Sequence, residues 1–176
     1  MADVKISALT AATSTGPTDV YPIVQGGVTL KAAMGLGTAT NDNASAGQIG
    51  EYISSTVAAP GSALTTTTTL NVTSISLTAG DWDVSGTVGF RFGATTSYTN
   101  LVGGSSLTTA TIGAQGSFFD YETAANVPTA TSDATFVIPT FRVSIAITTT
   151  IFLIAQATFT VSTISAFGLI SARRVR

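Results

Sequence analysis

An uninterrupted stretch from Val143 to Ala172 contains no charged residue, and three arginines lie among the four residues that follow it. Such a stretch suits either a membrane helix or the buried strands of a β protein. A membrane helix needs about 20 mainly apolar residues, and residues 151–170 supply that length. The same window holds Gln156 and several Ser and Thr residues, which are polar for a membrane helix, and it is rich in the β-branched residues Thr, Val and Ile. β-Branched residues favour pleated strands, so the stretch predicts strands.

The side chains of this stretch alternate as they do in strands. Between Ile151 and Val161 one parity is wholly apolar, whereas the other mixes large apolar residues with Gln156 and threonines. A mixed second face indicates a strand that also packs on its outer side, most simply against another subunit. The candidate oligomer interface consists of Phe152 and Ile154 from this mixed face, with Phe167 and Leu169 from the predicted strand that follows.

Composition supports a β fold whose subunits cover part of each other. Charged residues make up 9% of the chain, against about 25% in soluble domains. The 33 threonines and 17 glycines favour strands joined by tight turns. A formal net charge of −2 offers no basic surface for nucleic acid. The absence of Cys and His excludes disulfides, thiolate metal sites and imidazole catalysis.

The segment Asp81–Phe92 is the clearest predicted strand. Apolar residues and glycine occupy its even positions, and polar residues dominate the odd ones. Seven further segments with glycine- or proline-marked turns bring the count to about eight strands, with a bulge expected near Thr73–Ser74. The pattern predicts an all-β, jelly-roll-like antiparallel β-sandwich.

Residues 1–45 differ in kind from residues 46–176, which we expect to form the head domain. The residues flanking Gly26 and Gly27 read as a small hairpin with a two-residue turn. An isolated hairpin is not stable in water, so this arm must dock on a partner. The candidate attachment residues are Tyr21, Ile23, Gly26, Gly27, Val28 and Leu30. Residues 34–47 have the composition of a flexible linker.

Several acidic residues invite a functional interpretation. Asp81 with Asp83, and Asp120 with Glu122, could each place two carboxylates on one strand face to bind calcium or act as acid and base. A solvated polar face beside a turn is the alternative that we favour. The segment Asn41–Asn43 lacks the glycine and distal glutamate of a calcium loop, which favours linker.

The remaining candidates are aromatic and basic. The segment Phe118–Tyr121 could stack a sugar or form an edge strand with core aromatics, and parity assigns Trp82 to the core. The terminal arginines could bind an acidic surface or lipid headgroups, although such charges more often keep a strand end solvated. No glycine-rich stretch has the spacing of a phosphate loop. We predict no enzymatic activity, no metal and no cofactor.

Specific segments resemble a known class of proteins. The segment KISALTAATSTGPTDVYPIVQGGVTLKAA resembles the N-terminal segment of many tailed-phage virion proteins, such as tail fibres and head fibres or decorations. The segments GQIGEYISSTV, SLTAGDWDVSGTVGF and SARRVR are similar to a β-sandwich head that often follows it. The resemblance implies attachment through the N-terminal arm, a head that trimerises, and no enzymatic residue set.

These observations predict a structural virion component: a homotrimeric head fibre or decoration protein with weak host-surface glycan adhesion as a further expectation. A tail fibre or receptor-binding protein of the same architecture is the first alternative. A small outer-membrane β-barrel, which also has alternating strands and low charge, is the second. The start MADVKISALT shows no secretory signal. We therefore expect synthesis in a bacterial host cytoplasm, location in the virion, capsid or tail proteins as partners, and no membrane insertion.

Overall fold

A computed structural model describes residues 20–25, 28–33, 43–129 and 131–176. The chain divides into two compact units, Met1–Asp42 and Asn43–Arg176. The sequence places the corresponding boundary between residues 45 and 46. The segment Asn41–Asn43, considered above as a calcium loop, lies outside the described residues except for Asn43.

The first unit contains the predicted hairpin. Strand β1 (Val20–Gln25) pairs antiparallel with strand β2 (Val28–Ala33), and Gln25 lies opposite Val28. This register leaves a two-residue connection, as the sequence predicts. Four candidate attachment residues lie in these strands, namely Tyr21, Ile23, Val28 and Leu30. Gly26 and Gly27 lie outside the described residues.

The second unit contains the eight strands expected from the turn spacing. They are β3 (Tyr52–Ala63), β4 (Leu70–Leu77), β5 (Gly80–Phe92), β6 (Ser97–Ser106), β7 (Phe118–Asn126), β8 (Asp133–Ile145), β9 (Thr149–Thr160) and β10 (Ile164–Arg174). The pairing of β4 with β9 shifts register between Asn71 and Thr73, close to the predicted bulge.

Two four-stranded antiparallel sheets form a sandwich. The first sheet has the order β3-β10-β5-β8 and the second β4-β9-β6-β7. The pairs are nested along the sequence (β3 with β10, β4 with β9, β5 with β8, β6 with β7), as in a long ribbon rolled into two layers. This order is that of a jelly roll, so the predicted fold class is confirmed. Within the described part of the chain, no helix is long and apolar enough to span a membrane.

The core lies between the two sheets and follows the predicted alternation. On β5 the core side chains are Trp82, Val84, Val88, Phe90 and Phe92. The intervening Ser85 and Thr87 are only partly buried. Trp82 is packed as parity predicts, and its indole N–H donates a hydrogen bond of 2.9 Å to the carbonyl oxygen of Thr78.

The uncharged stretch forms the end of β8, all of β9 and most of β10. On β9 the apolar parity points into the core, and Ile151, Leu153, Ala155 and Ala157 have no exposed surface. The stretch avoids charge because two of its strands, β9 and β10, are inner strands of their sheets. Each therefore has a hydrogen-bonded neighbour on both edges and a core face to fill.

Candidate functional site

The outer face of the second sheet brings amide, carboxylate and hydroxyl side chains together in two adjacent rows. Asn100 on the inner strand β6 lies opposite Thr158 of β9 and Glu122 of β7. One step along β6, Val102 lies between Gln156 and Asp120. Because side chains two residues apart share a face, both rows point outward.

The loop between β6 and β7 folds back over the neighbouring part of this face. Asn71 on β4 donates a hydrogen bond of 2.6 Å from its side-chain nitrogen to the Thr109 hydroxyl. Its side-chain oxygen accepts one of 2.7 Å from the backbone N–H of Ala110. Asn71 is the strand partner of Ile154. The loop therefore covers Ile154, which has no exposed surface although it points away from the sandwich core.

A concave site of about 510 Å³ lies between this loop and the two polar rows. Val102, 3% exposed, lies at its base, and Ile112 of the loop contributes a second apolar side chain. The polar lining consists of Thr99, Asn100, Asp120, Glu122, Thr123, Gln156 and Thr158. The site is a shallow, open depression with a mainly polar lining, and it contains no Lys or Arg.

Hydrogen bonds hold two of the polar side chains in this site. The Asn100 side-chain nitrogen donates to Asp120 Oδ1, and the Thr69 hydroxyl donates to Gln156 Oε1 over 2.6 Å. With its oxygen engaged in this way, the Gln156 amide directs its N–H donors elsewhere. Such contacts fix the orientation of the amides before any ligand arrives.

The predicted carboxylate pairs have different surroundings. Asp83 pairs with Arg142, and the buried Asp81 pairs with Arg176 at 2.8 Å, so both serve ion pairs. Asp120 and Glu122 lie on the concave site instead. Among the described residues, no group of three or more Asp, Glu, His or Cys side chains is arranged to hold a metal ion.

The aromatic segment Phe118–Tyr121 is divided between the two faces of β7. Phe119 stacks on Phe136 with ring centres 4.8 Å apart and meets Phe90 edge-on, so its ring belongs to the sandwich interior. Tyr121 leans on Phe136 at 5.6 Å. Phe118 lies on the outer face beside Gly104, where a Cβ would come within 2.4 Å of the Phe118 Cβ. None of the three aromatic rings lines the concave site.

The outer face of the first sheet is a second candidate surface. Phe167 and Leu169 on β10 are half-buried, and Val137 on β8 is 74% exposed. The Phe167 ring lies on Gly89, where a Cβ would approach it within 2.3 Å. Thr87 lies between Leu169 and Val137 in the strand register. Together Phe167, Leu169, Thr87 and Val137 form what we call the apolar patch.

Of the four candidate interface residues, Phe167 and Leu169 lie on the apolar patch. Phe152 and Ile154 belong to the other sheet. Ile154 offers no surface to a partner in this arrangement, whereas the other three remain partly accessible. The assignment of these residues to a subunit interface stays a prediction.

Two ion pairs flank the apolar patch along β5 and β8. Arg91 and Asp133 form two hydrogen bonds of 2.7 Å each at one end, and Arg142 binds Asp83 at the other. The hydrogen bond from Arg91 holds the pKa of Asp133 below its usual value, and the bond to Asp83 raises the pKa of Arg142. The patch is therefore apolar at its centre and ionic at its ends.

We expect Arg91→Met to raise the pKa of Asp133 towards its ordinary value, because its main hydrogen-bond donor is lost. A carboxyl with a depressed folded-state pKa stabilises the fold above its unfolded pKa, and this stabilisation is lost as pH falls through the folded value. The variant should therefore lose part of the acid dependence of stability in that pH window. Carboxyl ¹³C NMR titration measures the shift, with Arg142→Met as control; an unmoved Asp133 titration would contradict the prediction.

A buried cluster joins the start and the end of the head domain. The Arg174 guanidinium, 5% exposed, donates a hydrogen bond of 2.9 Å to Glu51 Oε2 and another of 2.8 Å to the carbonyl oxygen of Ala79. It also lies 4.3 Å from the centre of the Trp82 ring and donates to the Thr78 hydroxyl. We call Glu51, Trp82 and Arg174 the terminal clamp.

One of the three arginines at residues 173–176 does not have the solvated position that the sequence predicts. Arg173 is exposed, as expected of charge after a last strand, and Arg176 is largely exposed. Arg174 is instead a core residue whose charge is neutralised within the fold. Backbone hydrogen bonds between Gly50 and Arg174, and between Asp81 and Val175, close the same end of the sandwich.

Comparisons with known proteins give similarity only at the level of structure. No protein-family model matches the chain, and no curated protein matches it. Infectious bursal disease virus VP2 of a subviral particle is similar over 96% of this chain and 41% of that one, with 12% identity and a TM-score of 0.41. A structure of the Gx strain of that virus is similar over 89% and 37%, with 15% identity and a TM-score of 0.37. The chain thus spans about two fifths of these structures, and likeness of this degree implies no shared partner or activity.

Proposed function

We propose that this protein is a non-enzymatic structural component of a bacteriophage virion: a homotrimeric head fibre or decoration protein that attaches through its N-terminal arm. The observation that carries the proposal is the apolar patch. Burial of Phe167, Leu169 and Val137 against a second subunit would remove this apolar surface from water. An apolar centre with a polar rim is the usual anatomy of a protein interface.

The N-terminal hairpin supports the attachment role. Strands β1 and β2 pair only with each other in the described residues. A two-stranded hairpin of this length is marginal alone and gains order by docking on a larger surface. The resemblance of residues 5–33 to phage attachment segments supports a virion surface as that partner.

The same design suits weak adhesion. Three heads in one trimer, and many trimers on one particle, can add individually weak contacts into firm attachment without a deep pocket. We therefore include adhesion to host-surface glycans in the proposed function. A tail location differs from a capsid location only in the protein that receives the arm.

Deletion of residues 1–40 is expected to abolish attachment to the particle while leaving a folded head of near-wild-type melting temperature, because the sandwich core and the residues packed against it lie within residues 53–172. The measurement is co-sedimentation with phage particles that lack this protein, alongside thermal unfolding of the truncated chain. Wild-type occupancy by the truncated head would place the attachment surface in the jelly roll and contradict the proposal.

A subtler variant tests the hairpin itself. Replacing Gly26 and Gly27 by valine should weaken attachment without unfolding the head, because a two-residue type I′ turn needs positive φ at both positions. The control replaces Thr135 and Thr140 by valine, because both are exposed residues of β8 in the head and valine keeps the shape of threonine. That control should bind particles normally.

A further inference from the structure

We infer that the concave site on the second sheet binds a neutral, hydroxyl-rich sugar. The inference names the ligand class and the site for the adhesive part of the proposed function and rests on that function for its biological meaning. Its chemical basis is independent of the virion. The site combines the apolar side chains of Val102 and Ile112 with amide, carboxylate and hydroxyl groups around them.

The lining matches the two kinds of surface that a sugar ring presents. The C–H groups of a pyranose face can rest on the partly exposed Ile112, whereas Val102, 3% exposed, only closes the base beneath it. Hydroxyl groups both donate and accept, so they need partners of both kinds. Asp120 and Glu122 supply acceptors, and the Gln156 amide supplies N–H donors. Two hydroxyl groups on adjacent ring carbons can each bond to one of the two terminal atoms of a planar carboxylate or amide group.

Preorganisation favours binding in spite of the shallow shape. Thr69 fixes Gln156, and Asn100 is held against Asp120. Both amides lie on strands whose partners on each side are hydrogen-bonded, so ligand binding has little side-chain entropy left to lose. A rigid polar rim on strands positions hydroxyls better than a mobile loop would.

The negative charge of the site favours neutral sugars over anionic ones. Two carboxylates line the site and no cationic side chain does, so a carboxylated, sulfated or phosphorylated sugar would meet uncompensated like charge. Neutral hexoses and N-acetylhexosamines meet no such repulsion. The site therefore discriminates by charge first and by hydroxyl geometry second.

The test uses the full chain and saturation-transfer NMR, which detects weak binding from the signals of the sugar. The neutral probes are methyl α-D-galactoside, methyl β-D-glucoside and N-acetyl-D-glucosamine. The anionic probes are N-acetylneuraminic acid and glucose 6-phosphate. We expect saturable transfer to at least one neutral probe and none to the anionic probes. No transfer to any neutral probe, or equal transfer to the anions, overturns the inference.

Variants locate the binding. Thr158→Arg places a long cation against Asp120 and Glu122 and should abolish transfer. Thr150→Arg is the matched control, because Thr150 lies on the same strand and the same outer face but outside the site. Gln156→Met keeps the side-chain shape and removes its donors, so it should weaken binding by about tenfold, the value of one lost hydrogen bond of about 1.4 kcal/mol. Unchanged transfer in folded Thr158→Arg or in Gln156→Met rejects this site.

The outcomes separate the sugar site from the virion role. Thr158→Arg should join particles normally in the co-sedimentation assay, because the change lies outside the arm. Loss of sugar binding with intact attachment is the expected result. A wild-type protein that joins particles but binds no neutral probe refutes the sugar site alone. A protein that binds sugar but never joins particles refutes the virion role alone.

Discussion

Replacing Arg174 by methionine is expected to destabilise the head domain by about 3–5 kcal/mol, the usual cost of leaving a buried charge unpaired. The variant leaves the Glu51 carboxylate, 9% exposed, without its guanidinium partner. It also removes the cation over Trp82 and the hydrogen bonds to Thr78 and Ala79. For a domain of this size the melting temperature should fall by roughly 10–20 °C. Thermal unfolding followed by circular dichroism measures the effect.

The neighbouring arginine provides a matched control for this experiment. Arg173 is exposed, so Arg173→Met should change the free energy of unfolding by no more than about 0.5 kcal/mol. A double variant, Glu51→Met with Arg174→Met, should recover part of the lost stability, because no charge then remains buried. Equal destabilisation by the Arg173 and Arg174 single variants would show that burial of the ion pair does not govern stability here.

The strands of the sandwich could be predicted from sequence because each carries its own signal. On β5 every second residue from Trp82 to Phe92 faces the core, and such alternation needs no knowledge of neighbouring strands. The absence of charge in β9, and in β10 as far as Ala172, likewise indicates burial. Glycine- and proline-marked turns then limit the number of strands, and eight strands with two-sided burial favour a jelly roll.

Long-range burial could not be predicted in the same way. Ile154 has the parity of an outward residue but no exposed surface, and its strand partner Asn71 holds the loop between β6 and β7 over this face. Nothing in the local sequence states where that loop lies. The same holds for Arg174, whose partner Glu51 is 123 residues away in the chain. Both cases depend on contacts between segments that are far apart in the sequence.

The concave site was only partly accessible to sequence reasoning. Asp120 and Glu122 share a strand and could be grouped by parity, but Asn100 and Gln156 come from two other strands. One feature of the sequence does indicate a residue of this site. Gln156 is the only polar residue other than Ser or Thr in the uncharged stretch, and an isolated amide among strand residues indicates a specific hydrogen-bonding role. The nested strand pairing then supplies its neighbours.

Aspartates at Phe167 and Leu169 are expected to dissociate the proposed trimer into folded monomers. Both side chains lie on the apolar patch, and two carboxylates buried there at an interface would lack partners. The sandwich core should remain intact because neither residue belongs to it. Light scattering coupled to size-exclusion chromatography distinguishes a chain of 17.8 kDa from an assembly of three such chains.

The matched control, Ala124→Asp with Asn126→Asp, makes the same charge change at the same spacing on the exposed edge strand β7 of the other sheet, away from Phe152. That control should stay trimeric, because its new charges remain in water. If the patch variant also stays trimeric while folded, subunits meet through a different surface, and Phe152 becomes the remaining accessible candidate. If the unmodified chain itself has the mass of a monomer, trimeric assembly is wrong.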